Sequence, residues 1–312
     1  MRVLVTGGAG FIGSHLVDRL LIEGNKVVCI DNLLLGKTKF LNNAKLNKNF
    51  KFLNFDLLDL KKLNSVFKKE KFEMVYHLAA NSDILAGVKS TSRDLELTFK
   101  LTYNVLECMR QYNVKKILFT SSPTVFGNHD IGLTEDLPMK PESLYGASKL
   151  ASEAFIRAFS GLYDIKAWIL RLSNMVGERS THGILFDFLN KVKSNQKELI
   201  VLGDGNQNKP YMYVHELIDC MFFIIKNSNE MINDFNVGPK DGVSVSEISE
   251  LFLKYFGTGQ VIKYTGGKTG WKGDVPFYSH NSKKLNNIGW TPSLTSKQAI
   301  EKAIIRMKEE DE

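Results

Sequence analysis

Tyr145 and Lys149 stand four residues apart at the start of an apparent helix, so a phenol and an ammonium project from one face, with Ser148 and Ala151 beside them. Upstream, the run Leu118-Phe119-Thr120-Ser121-Ser122 ends an apolar strand in hydroxyls, and such a strand end can converge on the same sheet edge. Together these side chains suit alcohol oxidation, in which a hydroxyl proton must depart as hydride leaves the carbon. Tyr145 is too weak a base near neutrality at an ordinary pKa of about 10, and a nearby ammonium favours its phenolate. Lys149 is therefore expected to tune Tyr145, while Ser122 hydrogen-bonds the reacting oxygen. The plainer reading of Ser122 is a structural hydroxyl, and Thr124 is then the next candidate.

The hydride needs an acceptor, and the start of the chain offers a place for one. Thr6-Gly7-Gly8-Ala9-Gly10-Phe11-Ile12-Gly13 lies between a β-branched run at 2–6 and an apolar-periodic helix at 11–21, with a second strand at 26–30. Gly7 permits the tight turn, Gly10 lets backbone approach a pyrophosphate, and Gly13 lets helix and strand pack closely. Asp31 at the end of the second strand can accept both ribose hydroxyls of an adenosine, and its charge repels a 2′-phosphate, so NAD is expected rather than NADP. Asp56, before Leu57 at the end of a third strand, is placed to take the adenine amino group, or else to cap a helix.

Further apolar runs at 50–55, 74–78, 116–120 and 167–170 alternate with helical stretches at 60–69, 93–111 and 146–163. Such alternation implies an α/β fold built on a Rossmann-like, doubly wound parallel sheet. After Arg171 the rhythm changes to scattered glycines and prolines, with helices near 186–193, 214–226, 245–256 and beyond Thr295. Residues 1–171 are thus expected to form the NAD-binding domain carrying the Tyr/Lys pair. Residues 172–312 should form a smaller mixed α/β substrate-binding part, interleaved with the first because no linker divides them.

Composition narrows the classes. At 312 residues and 43% hydrophobic the chain can bury a large core. No apolar run nears the roughly 20 residues of a membrane span, and strand pattern begins at Arg2, so a leaderless cytoplasmic protein without membrane partners is expected. Cys29, Cys108 and Cys220 lie far apart in apolar stretches, and the six histidines show no ligand spacing, so neither disulfides nor a metal site are expected. The net charge of +7 favours anionic partners, but the lysines are scattered and no basic-aromatic motif appears. A diphosphate substrate fits this charge, and nucleic acid is not expected.

The glycine loop, Asp31, His77-Leu78-Ala79-Ala80, Ser121-Ser122-Pro123-Thr124-Val125-Phe126-Gly127 and Tyr145-Gly146-Ala147-Ser148-Lys149, in that order, give the chain a family likeness. It resembles the extended short-chain dehydrogenase/reductases, specifically their UDP-glucose 4-epimerase-like group. The likeness continues through Arg171-Leu172-Ser173-Asn174, Arg179-Ser180-Thr181-His182-Gly183, Leu202-Gly203-Asp204-Gly205 and Gly270-Trp271-Lys272-Gly273-Asp274-Val275. It implies catalytic roles for Ser122, Tyr145 and Lys149. It implies an NAD site lined by Gly7, Gly10, Phe11, Ile12, Asp31, Asn32, Lys37, Asp56, Leu57, Leu78, Ala79 and Ala80, with Tyr145 and Lys149 also reaching the cofactor. Asn174 is implied to meet a nucleotide-sugar diphosphate, Lys209 to add a basic group to the same phosphates, and Asp274 to hold the nucleotide ribose. Ser82, Ser122, Thr124 and Trp271 complete the substrate side.

Some positions depart from the family pattern. Thr98 stands where many members carry a cofactor-contacting Asn, Ser82 where well-studied epimerases carry Lys, and Trp271 where they carry an Arg on the diphosphate. Pro123-Thr124 occupy the place of the acidic pair that a 4,6-dehydratase needs to eliminate water, which disfavours dehydration. A 4-epimerase acting on a UDP- or GDP-linked sugar and a 4-dehydrogenase releasing the keto sugar, such as a GDP-heptose enzyme of capsule synthesis, need the same residues. A non-catalytic NAD-binding sensor is the reading from another class, and retention of Tyr145 and Lys149 argues against it. The resemblance also implies a homodimer paired through the helices at 93–111 and 146–163, whose periodic apolar positions equally suit packing on the sheet.

Overall fold

The computed structural model describes every residue except 129–131, 195–196, 271–274, 276 and 312. Two compact units divide it. The first comprises Met1–Val125, Pro141–Arg171 and Met221–Phe235; the second comprises Phe126–Lys140, Leu172–Cys220 and Asn236–Glu312. Relative to a division at residue 171, the two exchange the segments Phe126–Lys140 and Met221–Phe235.

The first unit is built on β1 (Arg2–Thr6), β2 (Lys26–Asp31), β3 (Phe50–Asn54), β4 (Met74–His77), β5 (Lys116–Ser121) and β6 (Lys166–Leu172). Their order across the sheet is β3-β2-β1-β4-β5-β6, every one of these pairings is parallel, and the strand Ile232–Val237 adds a seventh member beside β6. Ala167 N–H donates to Met231 O and Ser173 N–H to Val237 O, the same offset at both ends, so this edge strand is parallel too. Strand order reverses at β1, between β2 and β4, and in open α/β sheets ligands bind beyond the carboxyl ends of the strands at such a reversal. Register brings those ends level: Thr6 pairs with Ile30 and His77, and His77 with Phe119.

The connecting helices follow the apolar periodicity. α1 (Phe11–Ile22) buries Leu16, Val17 and Leu20; α2 (Leu60–Glu70) buries Leu63 and Phe67; α3 (Leu101–Gln111) buries Val105, Leu106 and Met109; α4 (Leu144–Tyr163) buries Ser148, Lys149, Ser152 and Ile156. Leu63, Phe67, Val105 and Met109 join Leu4, Ile30, Val75, Ile117 and Ile169 of the strands in one core. Burial of each large side chain stabilises the fold by about 1.5–3 kcal/mol. α4 begins two residues before the periodicity suggests, because the Ser143 side chain accepts from Gly146 N–H and caps the first turn.

The stretch expected as a single helix over 93–111 is three pieces: a short helix Thr91–Asp94, a π-helical turn Leu95–Lys100, and α3. Polar side chains account for the widened turn. Thr98 Oγ1 accepts from Asn81 N–H, and Thr102 Oγ1 donates to Thr98 O. Widened turns of this kind gather at functional sites.

The second unit holds small sheets. Asn174–Val176 pairs in parallel with Tyr211–Tyr213, Asn208–Lys209 runs antiparallel to Val243–Ser244, and Glu198–Val201 lies parallel to Val261–Tyr264. Helices Ile184–Ser194, Val245–Phe256 and Ser296–Asp311 flank them, the second of these opened by a reciprocal Ser244/Glu247 capping box. Among the described residues no helix is long and apolar enough to cross a membrane.

Candidate active site

The glycine loop leaves β1 with Gly7 at φ +69°, a conformation glycine adopts without strain, and a Cβ there would stand 2.8 Å from Ala79 N. Gly10 caps α1 and brings no side chain to it, so the first-turn N–H groups face outward unencumbered. A Cβ on Gly13 would fall on the carbonyl of Gly7. The cradle is therefore shaped for an anion held by backbone at a helix N-terminus, as a pyrophosphate requires. Phe11 is buried at the start of α1 and Ile12 follows it half-exposed.

Asp31 ends β2 almost fully buried. Its Oδ2 accepts from Ala9 N–H at 3.0 Å and its Oδ1 from Leu33 N–H at 2.8 Å. Burial raises its pKa, and the two N–H donors oppose that rise. Lys37 N–H donates to Ala9 O, which folds the segment after β2 back over the loop. Asn32 Nδ2 donates to Asp56 Oδ2 at 2.9 Å, while Asp56 Oδ1 accepts from Leu58 N–H, so these two cofactor-lining candidates form one pair. Leu57 is buried and its carbonyl accepts from Asn104. The carboxyl end of β4 closes this side: Leu78 N–H and Ala79 N–H both donate to Thr6 Oγ1, at 3.2 and 3.3 Å, and Ala80 follows.

His77 joins these pieces in a way the sequence did not disclose. Its Nδ1 lies 2.7 Å from Thr6 Oγ1 and its Nε2 3.0 Å from Thr102 Oγ1. Because Thr102 gives its hydroxyl hydrogen to Thr98 O, His77 must carry its own hydrogen on Nε2 and accept from Thr6 at Nδ1. Burial, with the Lys149 charge in support, pushes the His77 pKa down to about 3, so the ring is neutral.

Ser122, Tyr145 and Lys149 come together at the carboxyl end of β5. Tyr145 sits in the first turn of α4 with its hydroxyl deep and hydrogen-bonded to Ser122. Thr124 donates to Ser122 Oγ through its hydroxyl at 2.9 Å and its N–H at 3.3 Å, which leaves the Ser122 hydrogen for another oxygen. Lys149 is 3% exposed, donates from Nζ to Thr120 O at 2.6 Å, and stands 5.8 Å from the centre of the Tyr145 ring. Burial lowers its pKa to about 7, against the charges of Glu153 and Asp94. In this chain alone, burial raises the Tyr145 pKa to about 12, with Ser122 opposing and Asp94 adding to the rise. Lowering of that pKa thus has to come from positive charge brought to the hydroxyl.

Two buried charge clusters adjoin this set. Glu153, one turn after Lys149, accepts from Arg171 Nε at 3.0 Å and Nη2 at 2.7 Å and from Ser121 Oγ at 2.5 Å, with Arg171 fully buried in β6. Asp94 accepts from Asn81. The signal for Glu153 was its spacing of four from Lys149, and for Arg171 its place in the otherwise apolar end of β6.

On the substrate side, Ser82 is half-buried after β4. In the second unit, Asn174 Nδ2 donates to Tyr278 OH at 3.1 Å and to Pro210 O at 3.3 Å, and Lys209 is half-buried in its short strand. Trp271 and Asp274 lie outside the described residues.

A doubly wound sheet with a glycine loop at its reversal point and a Ser/Tyr/Lys set at the end of β5 defines an enzyme of the extended short-chain dehydrogenase/reductase type. Residues 3–238 match the NAD dependent epimerase/dehydratase family, and the chain belongs to it, with NAD as cofactor. It is 33% identical to a Methanocaldococcus jannaschii protein provisionally named a UDP-glucose 4-epimerase, over 98% of both chains. It is 29% identical to a UDP-glucose 4-epimerase of Mycolicibacterium smegmatis over 97% of both. Among solved structures it is similar to a UDP-galactose 4-epimerase (TM-score 0.88, 33% identity, 99% of both chains). It is also similar to the Thermotoga maritima UDP-glucose 4-epimerase with UDP-glucose (TM-score 0.90, 28% identity, 100% of both).

Proposed function

We propose that the protein is a nucleotide-sugar 4-epimerase that binds a UDP-linked sugar and inverts its C4 through a transient ketone. The hydrogen-bonded Ser122–Tyr145 pair beside Lys149 carries this reading, because it supplies a hydroxyl clamp, a proton acceptor and a cation at one strand end. Bound NAD supplies the hydride acceptor. Gly7, Gly10 and Gly13 shape the pyrophosphate cradle, Phe11 and Ile12 open the helix above it, Asp31 and Asn32 serve the ribose, and Asp56 and Leu57 the adenine side. Lys37, Leu78, Ala79 and Ala80 line the remainder. Tyr145 takes the C4 hydroxyl proton and later returns it, Ser122 and Thr124 align the oxygen, and Lys149 provides positive charge. Ser82 serves the sugar, Asn174, Lys209 and Trp271 the diphosphate, and Asp274 the nucleotide ribose.

The segments 1–171 and 172–312 divide these tasks into dinucleotide and substrate sides, and the enzyme acts in the cytoplasm as a homodimer. Apolar side chains exposed on the helical pieces around α3 and α4 support the dimer: Leu95 (54%), Tyr103 (40%) and Phe155 (38%), with Phe155 packed edge-on to Phe99 at 4.9 Å. A second reading, a 4-dehydrogenase of capsule synthesis acting on a GDP-linked heptose, draws support from Ser82, which stands where the family's well-studied epimerases carry Lys. Incubation of the purified protein with UDP- and GDP-sugars, followed by NMR and mass spectrometry, separates the two. A new C4 epimer of a UDP-sugar supports epimerisation, an accumulating ketone favours the dehydrogenase, and no turnover of either series refutes both.

A further inference from the structure

Asp94 ends the short helix Thr91–Asp94 and is 1% exposed. Its Oδ1 accepts from Asn81 Nδ2 at 2.8 Å, and its Oδ2 packs against Gly87, where any side chain would collide with it. Among the described residues no lysine or arginine lies within ion-pair distance of it; the adjacent Arg93 turns its Nε to Asn81 Oδ1 instead, at 3.3 Å. A carboxylate taken from water without an ion-pair partner costs several kcal/mol, and a fold has no need of one where an amide would fit. Groups of this kind cluster where their charge acts on chemistry.

Asn81 is built to hold it. Its N–H donates to Thr98 Oγ1, its Nδ2 also donates to Asp83 O at 2.9 Å, and its Oδ1 accepts from Asp83 N–H and Arg93. Every polar group of the Asn81 side chain is engaged, which fixes the orientation of the amide and so of the carboxylate. The widened turn at Thr98 is part of the same clamp.

We propose that Asp94 is a positioning residue for proton transfer, a fixed negative charge clamped by Asn81 that acts through space on Tyr145 and Lys149. It rests on the reading of those two residues as the proton-transfer pair. The short helix Thr91–Asp94 packs against α4, which carries the pair. Burial raises the Asp94 pKa, and Asn81, Arg93 and Lys149 oppose that rise, while Asp94 in turn favours both the ammonium of Lys149 and the protonated phenol of Tyr145. The other groups facing the pair are Glu153 from α4 itself, neutral His77 from β4, and Ser122, the Thr120 carbonyl and the Phe119 ring from β5. Around Asp94 itself stand Arg93 and Asp83. Asp94 thereby keeps the proton on Tyr145 and the charge on Lys149 until further positive charge enters the site.

The test is the Asp94→Asn variant of the full chain, which keeps size and the Asn81 contact but loses the charge. The Lys149 midpoint is read by NMR of labelled lysine side chains, with Lys149→Met assigning the signal. The midpoint should fall by about one pH unit, and the pH limb of kcat should move in the same sense. Asp94→Glu, which restores the charge, should return the midpoint towards the parent. A folded Asp94→Asn protein whose midpoint moves by less than about 0.2 unit, or upward, overturns the proposal. Should that variant fail to fold, Asp94→Ser is read by the same criterion. Undiminished turnover in Tyr145→Phe would instead sink the underlying pair while leaving the lysine titration interpretable.

Discussion

The ammonium of Lys149 lies 2.6 Å from the carbonyl oxygen of Thr120, so the lysine is tied to the strand that ends in Ser122 rather than to the Tyr145 hydroxyl. One short bond thus sets the distance between α4 and β5, and the hydroxyls of Tyr145 and Ser122 meet because their backbones are held in that relation. The positive charge reaches the phenol across the ring face, 5.8 Å from its centre.

Tyr145→Phe removes the proton acceptor and leaves the glycine loop intact. We expect kcat to fall by roughly 10²–10⁴-fold, the usual loss for a general acid/base, with NAD affinity changed only a few-fold. Steady-state kinetics and calorimetric titration of the cofactor check this, and parent-like turnover would show that the proton leaves by another route.

The glycines of the helices separate into two kinds. Gly13→Ala places a methyl on Gly7 O, so the loop must open, and a loss of about 1–3 kcal/mol with collapse of NAD binding is expected. Gly161→Ala, inside α4 with open space around its Cβ position, should stabilise by about 0.5–1 kcal/mol. Thermal melts with and without NAD distinguish them, and a stable, cofactor-binding Gly13→Ala protein would contradict the packing described for the loop.

Lys149 links stability to pH. Its folded pKa is lowered to about 7 by burial, whereas an unfolded lysine titrates near 10.4. Between those values the unfolded chain holds the extra proton, so folding should strengthen as pH rises from about 7 to 10. In Lys149→Met that rise should flatten by up to about 1.4 kcal/mol per pH unit. Urea unfolding at stepped pH measures it, and identical slopes would mean that the lysine is not desolvated.

His280 supplies the acid-side counterpart. It is 1% exposed, neither ring nitrogen has a partner among the described residues, and burial pushes its pKa down to about 3. The folded ring stays neutral while the unfolded one takes a proton near 6.5, so stability is lost as pH falls from about 6.5 towards 3. His280→Leu should gain about 1–3 kcal/mol at neutral pH and show a shallower acid decline. A variant less stable than the parent would imply that the imidazole has partners after all.

Much of the first unit was legible because most of its strands are largely apolar and alternate with periodic helices. β1 to β6 stand out as short apolar runs, and the glycine loop and the Tyr145/Lys149 spacing are local signals. The strand Ile232–Val237 carried none: it reads Ile-Asn-Asp-Phe-Asn-Val, and its polar residues are accommodated only by tertiary partners, Asn233 bonding Ala167 O and Glu230 O. The break at Leu95–Lys100 was hidden for the same reason, since Asn81 is distant in sequence from the Thr98 it engages. Asp94 looked like an ordinary helix-surface charge that only its burial distinguishes, whereas Glu153 carries just the faint signal of its spacing from Lys149. The small sheets of the second unit, with strands as short as two residues, lie below what periodicity can detect.

The fork of Arg171 on Glu153 is sealed from water on both sides. A chain that lost the acid alone would strip the buried guanidinium of its two-point contact and leave Asp234, 3.4 Å from Nη2, to share its charge, at a cost of up to about 3–5 kcal/mol, while losing both Arg171 and Glu153 to well-fitted apolar residues can be nearly neutral. The two positions are therefore mutually hostage: variation at one is better borne in company with the other, and substitution libraries that sample them singly will rank both as costlier than paired changes do.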